Sequence, residues 1–285
     1  MSPTQRSLIF KIFLPFLIFF LPFFVPSYQV TFDVATLLTV ISLLFAILVG
    51  FFIATATTNH VNLQGSIAEE CGQLISMHNL GSLVRPTDRK KIAQAIDDYT
   101  ISSMDFSLIT YVDNTSQEVA KLIAVIDALN PPDSQPKRLS ALNYLHETKS
   151  NWLRTRQLIA TIAPRTIKSI HWFILVALTA ILIFLLISIR GEQIMSDIVI
   201  GFLIVSSYLI LVLLYEVDSD LFLEQQLNFI DNQRIFRAIG QPDYYPEIAI
   251  KQGRMRKLPA RYRVGLPRKN GKFRTIKFVN NKTPP

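Results

Sequence analysis

The sequence predicts an all-α, polytopic membrane protein with about four transmembrane helices and a helical cytoplasmic section between the second and the third. Two observations predict this class. Half of the 285 residues are hydrophobic and only 18% are charged, and the apolar residues are concentrated in four long stretches. Because a hydrocarbon core about 30 Å thick requires roughly 20 consecutive apolar residues in a helix, each stretch is long enough to cross a membrane.

The first stretch runs from Ser7 to Val25 and carries one charge, Lys11, near its end. A basic residue ahead of an apolar run is also the pattern of a signal peptide, but no small-residue cleavage site follows this one. The pattern therefore favours an uncleaved span. Pro15 and Pro22 are expected to kink it, because proline removes a backbone donor and crowds the preceding turn.

The other three stretches contain no charged residue: Ala35 to Thr58, His171 to Ile189, and Ile198 to Tyr215. An Arg or Lys at the centre of a span costs about 3 kcal/mol on insertion scales, so uncharged runs of this length are informative. The second span is expected to continue as a helix beyond the membrane, because no proline interrupts the chain up to Leu80.

Basic residues predict the orientation, because they are retained on the cytoplasmic side of a span. The short loop from Pro26 to Val34 has none, whereas the section from Asn59 to Ser169 and the chain after Tyr215 are rich in Lys and Arg. Both termini and the middle section are therefore expected in the cytoplasm, with the protein in the inner (plasma) membrane.

The predicted organisation has five segments. These are the first two transmembrane helices (1–58), a helical cytoplasmic section (59–169), the third and fourth transmembrane helices (170–216), an acidic-to-helical segment (217–247) and a basic, disordered tail (248–285). Within the cytoplasmic section, helices are expected from Pro86 to about Tyr111, from Glu118 to Leu129 and from Ser140 to Ile162. No strand-rich block is evident.

The tail after Glu247 contains twelve Lys and Arg and no Asp or Glu. Such a segment is expected to stay disordered or to lie on the anionic inner leaflet, which attracts basic residues by about 1 kcal/mol each. Nucleic acid is the less favoured partner, because no recognition motif accompanies the charge. The residues predicted to bind lipid are Arg254, Arg256, Lys257, Arg261, Arg263, Arg268 and Lys269.

The chain lacks a phosphate loop, a paired-histidine zinc motif, a nucleophile elbow and a dinucleotide fingerprint. The sequence therefore predicts neither an enzyme nor a cofactor. Carboxylates after the fourth span, Glu216, Asp218 and Asp220, are hard oxygen ligands that suit calcium if a turn gathers them. A solvated helix end is the commoner reason for such a cluster. Glu70, Cys71 and His78 are interpreted as packing residues rather than a ligand set.

Two further patterns leave alternatives open. Lys149 and Arg156 lie on an otherwise apolar helical stripe. This pattern favours the interpretation that their aliphatic side-chain stems cover a partner helix while the charged groups reach water, rather than that the two residues bind an anion. At the end of the second span, the hydroxyls of Thr55 and its neighbours precede Asn59 and His60. These hydroxyls either bond to carbonyls of their own helix or face water in a pore.

The second span and the chain beyond it resemble the bestrophin-like family of bacterial membrane proteins, a domain of unknown function named for its likeness to bestrophin chloride channels. In that family a Gly-Phe pair is followed by Arg-aromatic-x-x-Ala-Arg and then by Glu-Ala on the same helix. Gly50-Phe51, Asn59-His60, Leu63-Gln64 and Glu70-Cys71 occupy these places in order. Later matches are Arg154, Arg156, Pro164 and Asp218. Both family arginines of the first motif are absent.

The resemblance implies a homo-oligomer, pentameric as in bestrophins, with the second span of each subunit lining a central pore. It assigns an apolar constriction to Leu43, Ile47 and Phe51, with Thr55, Asn59 and His60 beyond it; all three constriction residues are also ordinary packing or lipid-facing types. The expected function is an ion channel, with anion selectivity left open by the missing arginines. The alternative is a non-conducting membrane scaffold whose basic tail binds anionic lipid or an acidic partner.

Overall fold

The structure is a computed structural model, and it describes residues 13–25, 33–106, 108–164, 167–191, 193–218, 231–251, 258–266 and 275–280. The helices are α1 (13–19), α2 (Leu21–Phe24), α3 (Val34–Val84), α4 (Arg89–Ser103), α5 (Tyr111–Asn114), α6 (Ser116–Asp127), α7 (Pro136–Ile162), α8 (Ser169–Ser188), α9 (Ile194–Asp218), α10 (231–238) and α11 (Glu247–Lys251). The strands are β1 (Asp243–Pro246), β2 (Arg261–Leu266) and β3 (Thr275–Asn280). A 3-10 turn, Pro86–Asp88, precedes α4.

The chain divides into two compact units. One, here called the apolar unit, comprises Met1–His60 and Arg165–Asp220. The other, the polar unit, comprises Val61–Pro164 and Leu221–Pro285. Helix α3 contributes its uncharged first part to the apolar unit and its remaining residues to the polar unit, so the prediction that the second span continues as a helix is confirmed.

Within the described ranges, three helices of the chain are long and apolar enough to cross a membrane: α3, α8 and α9. Their facing sides form the core of the apolar unit, with Phe45 and Val49 from α3, Leu175 and Leu182 from α8, and Ile204 from α9. Burying each such side chain contributes roughly 2 kcal/mol relative to exposure in water, and in lipid the same contacts act through close packing.

The predicted first span is only partly described, because residues 7–12 lie outside the described ranges. The helix is interrupted at Phe20, two residues before Pro22, while α1 runs through Pro15 without a break. The kinks at the two prolines stay a prediction. A Cβ atom added to Gly201 of α9 would lie 2.7 Å from the carbonyl oxygen of Phe19. Glycine at this position therefore lets the end of α1 approach α9 more closely than any side chain would permit.

The polar unit is a helical bundle with a small sheet. Its core takes Leu74 and Met77 from α3, Ile96 from α4, Leu122 from α6 and Leu145 from α7, and all five are almost fully buried. Helix α4 ends at Ser103 and not near Tyr111 as predicted. The Ser103 hydroxyl donates to the Thr100 carbonyl at 2.8 Å, and such side-chain bonds compete with helical ones and favour an end to the helix.

The tail was predicted to be mostly disordered or to lie on a surface, but two strands, β2 and β3, lie in it. β1 pairs in parallel with β2, and β2 pairs antiparallel with β3, in the order β1-β2-β3. In β2 the apolar residues Tyr262 and Val264 alternate in sequence with the basic residues Arg261 and Arg263, although Arg263 is buried along with them. The high basic charge led to an interpretation as disorder, and the alternating apolar positions were overlooked.

Candidate functional site

One face of α3 in the apolar unit is left exposed by the packing of the others. Leu43, Ile47 and Phe51 are 60%, 59% and 62% exposed, whereas Phe45 and Val49, on the opposite side, are almost fully buried. The three residues that the family resemblance assigned to a constriction therefore share a side of the helix that is available to neighbouring chains, to a pore or to lipid.

Beyond Phe51 the exposed face continues through Ala54 and Thr58, while Thr55, Asn59 and His60 are half-buried. Four residues turn a helix by 400°, which is 40° more than a full turn. The predicted pore-lining residues, spaced four apart, therefore move about 40° further around the helix from the exposed face at each step. The Thr55 hydroxyl donates to the Phe51 carbonyl and the Thr58 hydroxyl to the Ala54 carbonyl, each at 2.9 Å. Their hydrogens are thus used within the helix, and their oxygens keep the capacity to accept.

Glu70, a further family-motif residue of α3, lies in the core of the polar unit. The Tyr99 hydroxyl donates a short hydrogen bond to its Oε1, to which the Trp152 Nε1 also donates at 3.3 Å. The Tyr111 hydroxyl donates to Oε2 at 3.2 Å. Helices α4, α5 and α7 therefore converge on one carboxyl group of α3.

Arg156 of α7 supplies the counter-charge, with its Nε 3.8 Å from Glu70 Oε1. Its Nε donates to the Tyr99 hydroxyl oxygen at 2.9 Å, and its Nη2 donates to Thr115 Oγ1 at 2.7 Å. Its guanidinium also lies 5.3 Å from the ring centres of Tyr99 and Trp152, within range for cation–π attraction. Arg156 is buried, so the snorkelling interpretation was wrong for it. Arg154, the neighbouring motif residue, is exposed.

Burial raises the pKa of Glu70, and the hydrogen bonds it accepts from the tyrosines together with the charge of Arg156 oppose that rise. Burial likewise raises the pKa of Tyr99 and of Tyr111, with the charge of Glu70 adding to the rise. Both tyrosines therefore stay protonated as donors throughout the physiological pH range.

A second buried ion pair joins the strands to the helices of the polar unit. Arg263 Nη1 and Nη2 each donate to a carboxylate oxygen of Asp97 at 2.7 Å, and the two side chains are 4% and 5% exposed. Arg263 Nε donates to the Pro242 carbonyl at 3.0 Å, and the guanidinium lies 4.9 Å from the Phe236 ring centre. Arg263 is thus not exposed to lipid, contrary to the prediction.

The remaining predicted tail residues differ from Arg263. Arg261 is exposed at the start of β2. The other five lie outside the described residues, where their lipid binding stays a prediction: Arg254, Arg256, Lys257, Arg268 and Lys269. No group of three or more potential metal-ligating side chains occurs among the residues that the structure describes.

Asp218, the last motif residue, ends α9 and is buried. Its Oδ1 accepts the backbone N–H of Ile167 at 2.9 Å and its Oδ2 accepts Trp172 Nε1 at 3.2 Å. Each carboxylate oxygen thus accepts a hydrogen bond from the chain at the start of α8. The interpretation of this carboxylate as a calcium ligand did not predict that structural role. Asp220 lies outside the described residues, and Glu216 is half-buried two residues before the end of α9.

We expect Asp218→Ala to lower the free energy of unfolding by about 2 to 6 kcal/mol, because two donors would each lose their acceptor at about 1 to 3 kcal/mol. Trp172→Phe removes only one of the two bonds and keeps an aromatic ring, so it should cost less. Thermal unfolding of the detergent-solubilised protein measures both. If Trp172→Phe costs as much as Asp218→Ala, the backbone bond to Ile167 contributes nothing.

Sequence reasoning found Glu70, Arg156 and Asp218 through the family motif but missed most of their partners. Trp152 precedes Arg156 by one helical turn on the same stripe, and that spacing could have indicated the pair. Nothing in the sequence relates Tyr99 or Tyr111 to Glu70, because the three lie on different helices.

Comparison with known proteins gives one family. The model of the Bestrophin-like domain matches residues 12–222, which is well over half of the chain. No curated protein and no solved structure matches significantly.

Proposed function

The chain belongs to the bestrophin-like family, and from this membership and the exposed face of α3 we propose that it forms an ion channel in a membrane, with several copies arranged around an axis that α3 faces. The observation that carries the proposal is the exposure of Leu43, Ile47 and Phe51 on one side of a helix whose other side is packed. Copies of α3 around an axis would stack these residues as three apolar rings.

Such rings gate ion flow by dewetting, because a narrow apolar constriction holds too little water to hydrate an ion. Phe51 is the bulkiest of the three and is proposed as the main barrier. A pentamer, the plasma membrane and cytoplasmic termini are part of the same proposal, which rests on the family resemblance and the distribution of basic residues. Asn59 and His60 are the proposed donors to small anions.

We expect Phe51→Ala to widen its ring and raise the current through purified protein in a planar bilayer. A barrier lowered by about 1.4 kcal/mol corresponds to a tenfold faster passage, and a rise of about that order is the expected result. The oligomeric state of the same preparation, measured in detergent by light scattering, should be a ring of several copies.

Phe184 of α8 is the matched control, because it is also more than half exposed on a predicted span and lies outside the proposed pore. Phe184→Ala should leave the current at the parent level. Phe52, whose ring centre lies 5.2 Å from that of His171, is a packing control, and Phe52→Ala should reduce stability without raising the current. Equal currents from the Phe51 and Phe184 variants, or a monomer that conducts nothing, would favour the scaffold alternative.

A further inference from the structure

A small cavity in the polar unit opens beside the Glu70 carboxyl. We propose that Glu70 is a proton-binding site, which takes up and releases its proton through a single water molecule held in this cavity. The proposal is independent of the channel function, because it concerns only side chains packed inside the polar unit.

The cavity has a volume of about 20 Å³, and about 10 to 15 Å³ is enough for one water molecule. A buried water also needs two to four polar partners, and the lining provides them. Its polar members are Glu70, Cys71, Tyr99, Ser103, Tyr111 and Asn232. The site is therefore both large enough and polar enough for one water.

The two carboxylate oxygens of Glu70 differ in their surroundings. Oε1 accepts from Tyr99 and Trp152 and faces Arg156, whereas Oε2 accepts a single bond, from Tyr111 at 3.2 Å, among the contacts of the described residues. The geometry assigns the proton to Oε2. A solvent acid protonates the cavity water as that water gives a proton to Oε2, which produces a neutral carboxyl group, and the reverse transfer to a solvent base restores the carboxylate.

The tyrosine, cysteine and arginine neighbours of Glu70 keep their charge states over the accessible pH range. Burial raises the pKa of Tyr99, Tyr111 and the adjacent Cys71, so all three remain neutral. Arg156 remains a cation, as guanidinium groups do in proteins. Asp231 and Arg234 of α10 act on Cys71 with opposite signs.

Proton uptake therefore changes the buried cluster from an ion pair to a lone cation. Arg156 keeps the Thr115 hydroxyl, the Tyr99 oxygen and the aromatic rings around it, so the cluster can persist with one interaction fewer. Since burial raises the pKa of Glu70, the folded protein binds this proton at pH values where the unfolded chain has released it. The stability contribution of the group is thus greatest at low pH and declines as pH rises through the folded-state pKa.

Trp152 reports on this proton, because its indole N–H donates to Glu70. The chain contains two tryptophans, so Trp172→Phe gives a full-length protein with Trp152 alone. Its fluorescence, followed from about pH 4 to about pH 9 to cover ordinary and raised glutamate pKa values, should change with a midpoint above that of an ordinary glutamate. Adding Glu70→Gln, which keeps the shape of the side chain, should abolish the change.

Glu69→Gln is the matched control, because Glu69 is the exposed neighbour of Glu70 on the same helix. It should leave the transition in place. A flat titration, or a transition that persists in the Glu70→Gln protein, would overturn the proposal.

If Glu70→Gln fails to fold, infrared spectroscopy of the Trp172→Phe protein provides the second test. A buried protonated carboxyl gives a C=O stretching band separate from that of carboxylates. This band should disappear with the same midpoint as the fluorescence change. Its absence at low pH, or its disappearance at the pH of ordinary glutamates, would count as disproof.

Discussion

Arg263→Met is expected to lower the free energy of unfolding of the polar unit by about 3 to 5 kcal/mol, the range found when one partner of a buried ion pair is removed. Methionine retains most of the aliphatic stem, so the loss would come from the charge. Asp97 would lose both of its 2.7 Å hydrogen bonds and would stay buried without a counter-charge. The Pro242 carbonyl would lose the bond from Arg263 Nε as well.

Thermal unfolding of the full chain in detergent, followed by tryptophan fluorescence, measures the loss. Arg261→Met is the matched control: Arg261 is on the same strand, with its side chain exposed, and its replacement should have almost no effect. Combining Arg263→Met with Asp97→Leu should recover much of the stability, since a buried pair replaced by apolar residues is often neutral. A double variant no more stable than the single one would show that the charge is not the cause.

Arg156→Met should be about as costly, again by about 3 to 5 kcal/mol near neutral pH. The variant would leave the Glu70 carboxylate buried with neutral donors only, and it would remove the bonds to Tyr99 and Thr115. The loss should shrink as the pH falls, because a protonated Glu70 requires no counter-charge. Unfolding temperatures of the variant and the parent, compared across pH, provide the measurement.

Arg154→Met is the control for this experiment, because Arg154 is exposed two residues earlier on α7. Surface substitutions of this kind usually change stability by no more than about 0.5 kcal/mol. A loss for Arg156→Met that is independent of pH would mean that its packing against the aromatic rings, and not its charge, stabilises the cluster.

The apolar helices were predictable because length and absence of charge are sufficient to recognise them. Helix α8 was expected from His171 to Ile189 and is found at Ser169–Ser188. The family was predictable for a different reason, since Gly50, Glu70 and Asp218 keep the order of the family motif, and the match over residues 12–222 confirms it.

The degree to which a side chain is buried was less predictable than the position of the helix that carries it. The stripe through Lys149 and Arg156 gave the face of α7 correctly. It could not show that the Arg156 head enters the core, since its partners Glu70, Tyr99 and Thr115 are distant in sequence. Lys149, on the same stripe, instead forms a short ion pair with Asp127 that is partly open to solvent.

The basic tail shows a related difficulty. A local excess of positive charge predicts a solvated segment only if no counter-charge reaches it from elsewhere in the chain. The counter-charge of Arg263 comes from α4, 166 residues away in sequence. The alternation of Tyr262 and Val264 with basic residues was the available local indication of a strand. It would have predicted the strand itself but not the pairing of Arg263 with Asp97.

The distance in sequence between Asp97 and Arg263 also sets an order of events during synthesis. A ribosome adds about 5 to 20 residues per second, so Asp97 emerges roughly 10 to 30 seconds before the arginine that neutralises it. During that interval α4 must either keep Asp97 in contact with water or bury it as the neutral acid. Final closure of the polar unit around Asp97 is therefore a late step in synthesis, and a nascent chain interrupted before Arg263 would present an unfinished core to chaperones and proteases.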